Sequence, residues 1–395
     1  MNRATDKRLV PLAYGFRPFF LLAGLFAAVS IAAWLWAYGA GAVPDARMPP
    51  QFWHAHEMMF GFVAAAMAGF LLTAVPSWTG DRGFSGAPLV LLTALWLAGR
   101  IAFGVGDSLP VALLYPAELA FIPALTLLIA PSLFRSGSRN RPLLAMLLAF
   151  WAMDAVFLHG VATGNVATAA AALRGALGLV LVLVTVIGGR IVPAFTRNAL
   201  NQAGQDASIR SYAVVEKLIV PVMLGYAVAD TVAPSANLTA FVAALAAALQ
   251  GWRFSGWQGW RTASRPIVAI LHAAYLWLPI GLALKAAFIL GGFAWAAYWQ
   301  HALGAGAAAS MILAVMTRAA LGHSGRSLQA HPVTVAAYLL LIVAAVVRVF
   351  GPSLVPGHYV AVVMTAGTLW FLAFVLYLVV YAPILVTPRA DGKPG

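Results

Sequence analysis

Apolar runs of about 20 residues recur along the whole chain, and an α-helix of that length crosses the hydrocarbon core of a bilayer. The composition agrees, because 63% of the residues are hydrophobic and only 9% are charged. The first run is too long for the apolar region of a cleaved signal peptide, so we interpret it as a retained span. Polar, Pro and Gly breaks divide the chain into twelve predicted spans, at 16–38, 53–76, 86–105, 111–133, 141–161, 168–194, 214–233, 235–252, 265–291, 294–319, 330–350 and 357–383.

These runs predict an all-α polytopic membrane protein of about twelve transmembrane helices, in which residues 1–395 form a single transmembrane domain with short loops. The basic residues predict its orientation. If both termini are cytoplasmic, 19 of the 24 lysines and arginines lie at the inner side. The net charge of +13 follows from this orientation in the lipid bilayer, so it indicates no nucleic-acid partner. The basic residues left elsewhere are Arg47, Arg100, Arg174, Lys285 and Arg348.

Cysteine is absent, which excludes disulfides, thiolate metal ligands, iron–sulfur clusters and covalently attached c-type haem. The chain also has no GxxxxGK[ST] sequence, no GxGxxG with an acidic partner and no HExxH. These absences argue against nucleotide-driven transport, dinucleotide redox chemistry and zincin catalysis. Any metal must bind to histidine, methionine, carboxylate or main-chain groups, and the sequence offers 8 histidines and 11 acidic residues.

Two histidines and a glutamate open the second span, in the stretch WHAHEMMFGF at 53–62. At about 100° per residue His54 and Glu57 share one helix face, whereas His56 points about 200° away from His54. The face below His54 carries Met58 and Gly61, and small residues there either leave room for a flat group or let a neighbouring helix pack closely. Because ionisable groups at membrane depth are rare, we expect a metal or cofactor role. The alternative is a polar cluster that ends the helix in the headgroup region.

The tenth span also begins with a histidine, in the stretch WQHALGAGAAASMILAVMTR. This span is predicted to enter from the same side as the second, so His301 should lie at a depth similar to His54. Its face continues through small residues that include Gly304. Two such helices can hold a haem b between them through two axial imidazoles. The alternative is Gly/Ala packing with a hydrogen-bonded His301.

Two further histidines have open roles. His159 can join His56 and Glu57 in a second metal site, since imidazole and carboxylate suit copper, zinc or iron, or it can cap its helix at the interface. His272 is the most interior histidine. It can bind a second centre, serve a proton path or form a hydrogen bond to Tyr275.

Charged residues near the span ends and within the spans are the remaining candidates. Arg318, His323 and Arg326 can bind a haem propionate on the inner side or anchor their helix in the cytoplasm. Buried charges can pair with one another, bind propionates or relay protons. The residues in this second group are Arg100, Glu118, Asp154, Arg174, Lys285 and Arg348.

A weak repeat links the second, sixth and tenth spans, which end in LTAVPSWTG, GGRIVPAFTRN and AVMTRAALGHSGR. Three four-helix units would give these spans equivalent positions. The stretches WHAHEMMFGFVAAAMAGFLLTAVPSWTG, LHAAYLWLPIGL and HALGAGAAASMILAVMTRAALGHSGR resemble the NnrS family over the whole chain. The resemblance implies a bacterial inner-membrane protein that contains haem and copper and is linked to tolerance of nitric oxide and nitrosative stress.

The second span is also similar to the second helix of haem-copper oxidase catalytic subunits, whose twelve spans follow a threefold four-helix plan. This similarity implies that His54 and His301 form the axial pair of a haem. The sixth span has no histidine and the chain has no adjacent His-His pair, so the three-histidine copper site of the oxidases is missing. A copper ion must use another set, for which His56, Glu57 and His272 are candidates.

These features lead to three hypotheses from different classes. The first is a haem-b protein that binds nitric oxide or transfers electrons from a respiratory donor, with any enzymatic activity left open. The second is a secondary transporter or metal exporter that uses the HAHE sequence as an ion site. The third is a structural subunit of a respiratory complex, without a cofactor of its own.

Overall fold

The computed structural model describes residues 10–42, 45 and 47–393, and this part of the chain is helical and contains no strand. Three basic residues that contribute to the predicted orientation, Arg3, Lys7 and Arg8, lie outside the described residues. The long helices within the described residues are Phe16–Ala40 (α1), Pro50–Thr79 (α2), Ala87–Gly104 (α3), Val111–Arg135 (α4), Pro142–Ala162 (α5), Val166–Gln202 (α6), Ala213–Val232 (α7), Asn237–Ser255 (α8), Pro266–Gly291 (α9), Ala294–His323 (α10), Pro332–Leu354 (α11) and Tyr359–Val386 (α12).

Ten of the described helices are long and apolar enough to cross a membrane, which confirms a multi-pass membrane protein. α7 and α8 are not among these ten. α7 carries the charged residues Glu216, Lys217 and Asp230, and α8 carries Gln250 and Arg253. The count of twelve spans and the grouping into four-helix units therefore stay predictions.

Proline and glycine in the sequence account for several helix ends. Pro50 and Pro142 lie in the first turns of α2 and α5, where a missing N–H removes no helical hydrogen bond. Gly41 and Gly80 follow α1 and α2 with φ values of 63° and 73°. Glycine adopts this left-handed conformation without the steric cost of a Cβ, so both helices end there.

α2, α6 and α10 contact one another, and together with α9 they are the most buried of the ten membrane-spanning helices. α1 packs against α2 and α12, while α9 packs against α8 and α10. The two ends of the chain also meet. Arg17 at the start of α1 is fully buried, and its Nη1 donates to the carbonyls of Leu385 at 3.0 Å and Thr387 at 2.8 Å. A cation at the carboxyl end of α12 is favourable because unpaired carbonyls concentrate there.

Each of these three mutually contacting helices contains a π-helical segment, a rare wide turn that often occurs at functional sites. The segments are Glu57–Val63 in α2, Val184–Gly188 in α6 and Ala302–Ala309 in α10, and no other helix in the described residues has one. They fall in the helices that the sequence repeat links. The segments of α2 and α10 begin directly after His56 and His301, whereas no histidine lies on α6.

Candidate functional site

His54 lies in the first turns of α2 and faces α1. Its ring stacks on the indole of Trp34, with 4.9 Å between ring centroids and 19° between the ring planes. Its Nδ1 atom is buried and forms no hydrogen bond with any described residue. Buried polar atoms nearly always have a hydrogen-bond partner, because an unpaired one costs free energy. Nδ1 of His54 is therefore available to a group that the chain itself does not supply.

His301 lies at the same end of the bundle, directly before the π-helical segment of α10. Its backbone N–H donates to the Tyr298 carbonyl at 3.0 Å, and its ring interacts electrostatically with His54. The structure thus brings the two predicted axial histidines into one region. Further along the segment, a Cβ on Gly304 would have nothing within 4 Å. The face of α10 beside His301 is therefore open.

An arginine from α11 acts on both imidazoles. Arg348 interacts electrostatically with His54 and with His301. Its Nη2 donates to the Tyr359 hydroxyl at 3.2 Å, and its guanidinium carbon lies 4.9 Å from the centroid of the Tyr298 ring. Its Nη1 is buried and has no hydrogen-bond partner in the part of the chain that the structure describes. The region thus combines two imidazoles with an unpaired cationic donor.

Met58 and Gly61, the residues predicted below His54, do not form an open surface. Met58 is half-buried and packs against the hydrophobic core. A Cβ on Gly61 would collide with the ring of Phe26, and the Gly61 carbonyl accepts a hydrogen bond from Trp96 Nε1 at 3.1 Å. Gly61 therefore allows close packing, and the open surface of small residues lies on α10.

His56 lies in a second, fully buried group of polar side chains that we call the His56 cluster: His56, Glu57, Arg100, Glu118 and Asp154. His56 Nδ1 is 3.2 Å from Glu57 Oε1. His56 Nε2 is 3.0 Å from Asp154 Oδ1 and 3.7 Å from Glu118 Oε1. One ligand atom each from His56, Glu118 and Asp154 lie within 4.8 Å of one another, a spacing that can hold a metal ion.

Charged and aromatic neighbours complete the His56 cluster. Arg100 of α3 donates from Nη1 to Glu57 and from Nη2 to Glu118, so one guanidinium joins two carboxylates. The ring of Phe103 stacks on His56, with 3.8 Å between centroids and 16° between planes. The cluster therefore has strong internal electrostatics and is covered by an apolar ring.

The sequence shows Arg100, Glu118 and Asp154 only singly, as charged residues in three different helices. The signal that relates them to His56 is depth, because each lies within about two turns of the helix end that the predicted topology places on the same side of the membrane as His56. Depth alone does not predict contact. Which face a residue presents depends on the rotation of its helix, and that rotation is set by packing across the whole bundle.

The π-helical segment of α2 divides the HAHE sequence between two sites. α-Helical geometry holds through His56, and the wide turn begins at Glu57. A spacing of about 100° per residue therefore no longer applies after His56. The sequence predicts that His54 and Glu57 share one helix face and that His56 points away. In the structure the Glu57 carboxylate bonds to His56 and Arg100, while His54 stacks on Trp34.

Comparison with known protein families fits this all-helical arrangement. A family model described as NnrS protein matches residues 11–389, nearly the whole chain. The chain belongs to the NnrS family. The match confirms the resemblance read from the sequence, and membership fits a membrane protein related to nitric oxide. No match to the chain is found among curated proteins.

Two other candidate ligands of this NnrS family chain lie apart from the His56 cluster. His159 is exposed near the end of α5, whereas His56 is fully buried. His272 lies between α6 and α8, where its Nε2 is 2.8 Å from Thr196 Oγ1. Its Nδ1 is buried without a hydrogen-bond partner among the described residues. The Tyr275 hydroxyl bonds to other groups, so Thr196 is the polar partner of His272.

Three predicted site residues lie at the far end of α10 or just after it: Arg318 and His323 on the helix, and Arg326 beyond its end. The Arg318 guanidinium lies 3.7 Å from the centroid of the Phe195 ring, and the His323 ring stacks with Tyr14 at 6.0 Å. Arg326 Nη2 donates to Thr387 Oγ1 at 3.3 Å. Seventeen residues separate His301 from Arg318, which is about 25 Å along a helix. These contacts suit an anchor at the far end, and they lie away from the two imidazoles.

Proposed function

We propose that this chain binds a haem b between α2 and α10, with His54 and His301 as its axial ligands. The observation that carries the proposal is that Nδ1 of His54 is buried and unpaired. The His54 side chain lies in the same region as His301 and Arg348 and interacts electrostatically with both. Membership of the NnrS family supports a role in nitric oxide and nitrosative stress tolerance. The function that fits best is nitric oxide binding or haem-mediated electron transfer.

The side chains around the two histidines suit such a group. Trp34 stacks on His54 and holds the plane of the ring. Gly304 leaves space beside His301 for a flat molecule. The unpaired Nη1 of Arg348 can donate a charge-assisted hydrogen bond to a carboxylate of the bound group. These three contacts support the assignment of a haem to this region.

Haem b supplies an iron that exchanges electrons and binds nitric oxide when one axial position is open. Which of these uses applies depends on whether one or both histidines bind the iron. Two bound imidazoles favour electron transfer, and one imidazole with a free position favours gas binding. The stacking contact with Trp34 restrains the ring of His54, so His54 is the more firmly positioned ligand in our proposal.

We further propose that the protein lies in the inner membrane of a bacterium, with both termini in the cytoplasm and a respiratory electron donor as partner. The charge distribution and the family resemblance support this placement. Copper is the second cofactor that the resemblance implies. Of its predicted ligands, His56 and Glu57 share a cluster, whereas His272 is bonded to Thr196 elsewhere. The His56 cluster is therefore the place to look for a second metal.

The test is the reduced-minus-oxidised visible spectrum of the detergent-purified protein, recorded with and without nitric oxide. The wild-type protein should show b-type bands that shift when nitric oxide is added. His54→Ala and His301→Ala should each abolish or alter these bands while the protein remains inserted in the membrane, because each removes one axial imidazole.

His358→Ala is the matched control, because His358 is an exposed histidine at the start of α12. Its spectrum should equal that of the wild type. Wild-type spectra in both His54→Ala and His301→Ala would rule out the ligand assignment. If no haem is present after expression with an adequate haem supply, a transporter that uses the HAHE sequence becomes the better hypothesis.

A further inference from the structure

The His56 cluster has a composition that the haem proposal does not use. Three carboxylates from Glu57, Glu118 and Asp154 surround one imidazole and the guanidinium of Arg100. Every one of these residues is at most 9% exposed. We infer that the cluster is a binding site for one divalent transition-metal ion, with His56, Glu118 and Asp154 as its protein ligands.

The protons of His56 provide the first argument. Its Nδ1 faces Glu57 Oε1 at 3.2 Å, and its Nε2 faces Asp154 Oδ1 at 3.0 Å. A carboxylate oxygen only accepts hydrogen bonds, and a neutral imidazole has a single N–H to donate. If Nδ1 donates to Glu57, the lone pair of Nε2 faces carboxylate oxygens. That arrangement is repulsive unless a metal ion or a further proton lies between the atoms.

The distances around Nε2 suit a metal ion. A tetrahedral Zn²⁺ with nitrogen and oxygen ligands at about 2.0–2.2 Å has donor atoms about 3.3–3.6 Å apart. The distances from His56 Nε2 are 3.0 Å to Asp154 Oδ1 and 3.7 Å to Glu118 Oε1, on either side of that range. Small side-chain movements would therefore bring the three donors around one ion.

The charges of the cluster also favour a bound metal ion. Three carboxylates against one guanidinium leave two negative charges when His56 is neutral. Uncompensated charge is costly inside a protein, and more so within a membrane. One divalent cation makes the cluster neutral. Two added protons would give the same sum, so the experiment has to distinguish a metal from protons.

An unpaired oxygen provides an independent observation. Glu118 Oε2 is buried and has no hydrogen-bond partner in the described part of the chain. A Cβ on Gly99 would lie 3.1 Å from this oxygen, so the glycine keeps the adjacent space free. A small cavity lined in part by Phe60, Trp96 and Asp154 adjoins it. This oxygen is therefore available to an ion or to a water bound to that ion.

The donor set selects the class of ion. One imidazole nitrogen with carboxylate oxygens suits divalent ions of intermediate softness, such as Cu²⁺, Zn²⁺ or Fe²⁺. Ca²⁺ and Mg²⁺ prefer oxygen ligands alone, and Cu⁺ prefers sulfur, which these three residues lack. Glu57 and Arg100 orient the ligands rather than bind the ion. Glu57 accepts from His56 Nδ1, and Arg100 holds the carboxylate of Glu118.

This inference rests on the second-metal part of the proposed function and names its ligands. It does not depend on the haem proposal, because His54 and His301 share no ligand atom with the cluster. The test measures Zn²⁺ binding to the full-length protein in detergent, after metals are removed with a chelator. Elemental analysis of the wild-type protein after dialysis against Zn²⁺ should find about one ion per chain. Asp154→Asn and Glu118→Gln keep the side-chain size and should each lower Zn²⁺ affinity by about tenfold or more.

Asp230→Asn is the matched control. It also removes a buried carboxylate, but one that pairs with Lys285 at 2.7 Å outside the cluster. Zn²⁺ should raise the Tm of the wild type and of Asp230→Asn, because an ion that binds only the folded state stabilises it. It should leave the Tm of Asp154→Asn unchanged, and the haem bands of that variant should stay normal.

A wild-type protein that binds no Zn²⁺ would overturn the proposal and indicate a protonated cluster. So would an Asp154→Asn variant with wild-type Zn²⁺ affinity and Tm shift. Equal loss of Zn²⁺ binding in Asp154→Asn and Asp230→Asn would also contradict a site located at the His56 cluster.

Discussion

The π-helical segments of α6 and α10 share a backbone geometry but have different surroundings. In α6, the Thr185 carbonyl accepts from Arg253 Nη1 at 2.7 Å, and the Thr185 hydroxyl accepts from Gln250 Nε2 at 2.8 Å. The Tyr275 hydroxyl donates to Gln250 at 2.5 Å and accepts from Arg253 at 3.2 Å. The polar groups at this segment therefore find their partners within the protein.

Among the described residues, the segment of α10 has no network of this kind. It follows His301, contains Gly304 with open space beside its Cα, and lies in the region of the unpaired Arg348 Nη1. A π-helical turn therefore does not by itself identify a binding site. What distinguishes the two segments is whether nearby polar atoms are satisfied by the chain.

Arg253→Met should cause the largest loss of stability without selective loss of haem. The Arg253 side chain is 7% exposed and donates to Glu216, Thr185 and Tyr275, so its removal leaves acceptors unpaired. Removal of one partner from a buried ion pair costs about 3–5 kcal/mol, and we expect about 3 kcal/mol because Glu216 is partly exposed. Thermal unfolding in detergent and haem absorbance per folded protein measure the two effects.

The control for this substitution is Arg197→Met, which changes an exposed arginine on α6, the helix whose π-helical segment Arg253 contacts. Its stability should stay within about 0.5 kcal/mol of the wild type. A lower haem content per folded protein in Arg253→Met would contradict the contrast between the two segments. In that case α6 would contribute to the haem site.

The positions of the long helices could be predicted from the sequence, because apolar runs and the polar, Pro and Gly breaks between them indicate where helices begin and end. The ninth span is predicted at 265–291, and α9 lies at Pro266–Gly291. The end of the sixth span is predicted less accurately. It is predicted to end at 194, yet α6 continues to Gln202 through the polar residues Arg197 and Asn198. The π-helical turns have no hydropathy pattern, so they could not be predicted from the apolar runs.

Two glycine substitutions should separate packing from cofactor binding. Gly61→Ala introduces a Cβ that collides with the Phe26 ring, so it should cost about 2 kcal/mol of stability and leave haem per folded protein unchanged. Gly304→Leu fills the open face beside His301, so it should reduce haem content with little change in stability. Gly61→Ala should therefore lower the unfolding temperature and keep haem absorbance per folded protein. Gly304→Leu should lower haem absorbance per folded protein and keep the unfolding temperature.

Gly306→Ala provides a control within the α10 segment, because its Cβ would collide with Trp277. It should destabilise the protein as Gly61→Ala does, with haem per folded protein retained. Full haem occupancy in Gly304→Leu would show that the open face of α10 does not receive the cofactor, and the contrast between α6 and α10 would lose its functional meaning.

The candidate haem site could be predicted from the sequence more completely than the His56 cluster. His54 and His301 stand out because each precedes small residues at the same end of its helix. Glu118 and Asp154 meet His56 across three helices, and that contact depends on helix rotation and on the wide turn after His56. Neither quantity follows from local sequence, since both are set by packing of the whole bundle.

Thr196→Val should have the smallest effect, and it tests whether His272 marks a third site. The valine keeps the shape of threonine but removes the hydroxyl that lies 2.8 Å from His272 Nε2, so we expect a loss of about 1 kcal/mol. Thr317→Val is the matched control, because Thr317 is a buried threonine of α10 whose hydroxyl lies 2.6 Å from the Tyr338 hydroxyl. Haem and metal contents should equal those of the wild type in both variants.

The two outcomes for Thr196→Val separate two roles of the unpaired Nδ1 of His272. Loss of metal or haem in this variant alone would show that Thr196 orients His272 as a ligand, as second partners do for most ligating histidines. An unpaired histidine Nδ1 would then mark a binding site at His272 as well as at His54. Equal losses of stability in Thr196→Val and Thr317→Val, with cofactors retained, would mean that an unpaired histidine nitrogen marks a site only where an open surface lies in the same region, as the face of α10 at Gly304 does for Nδ1 of His54.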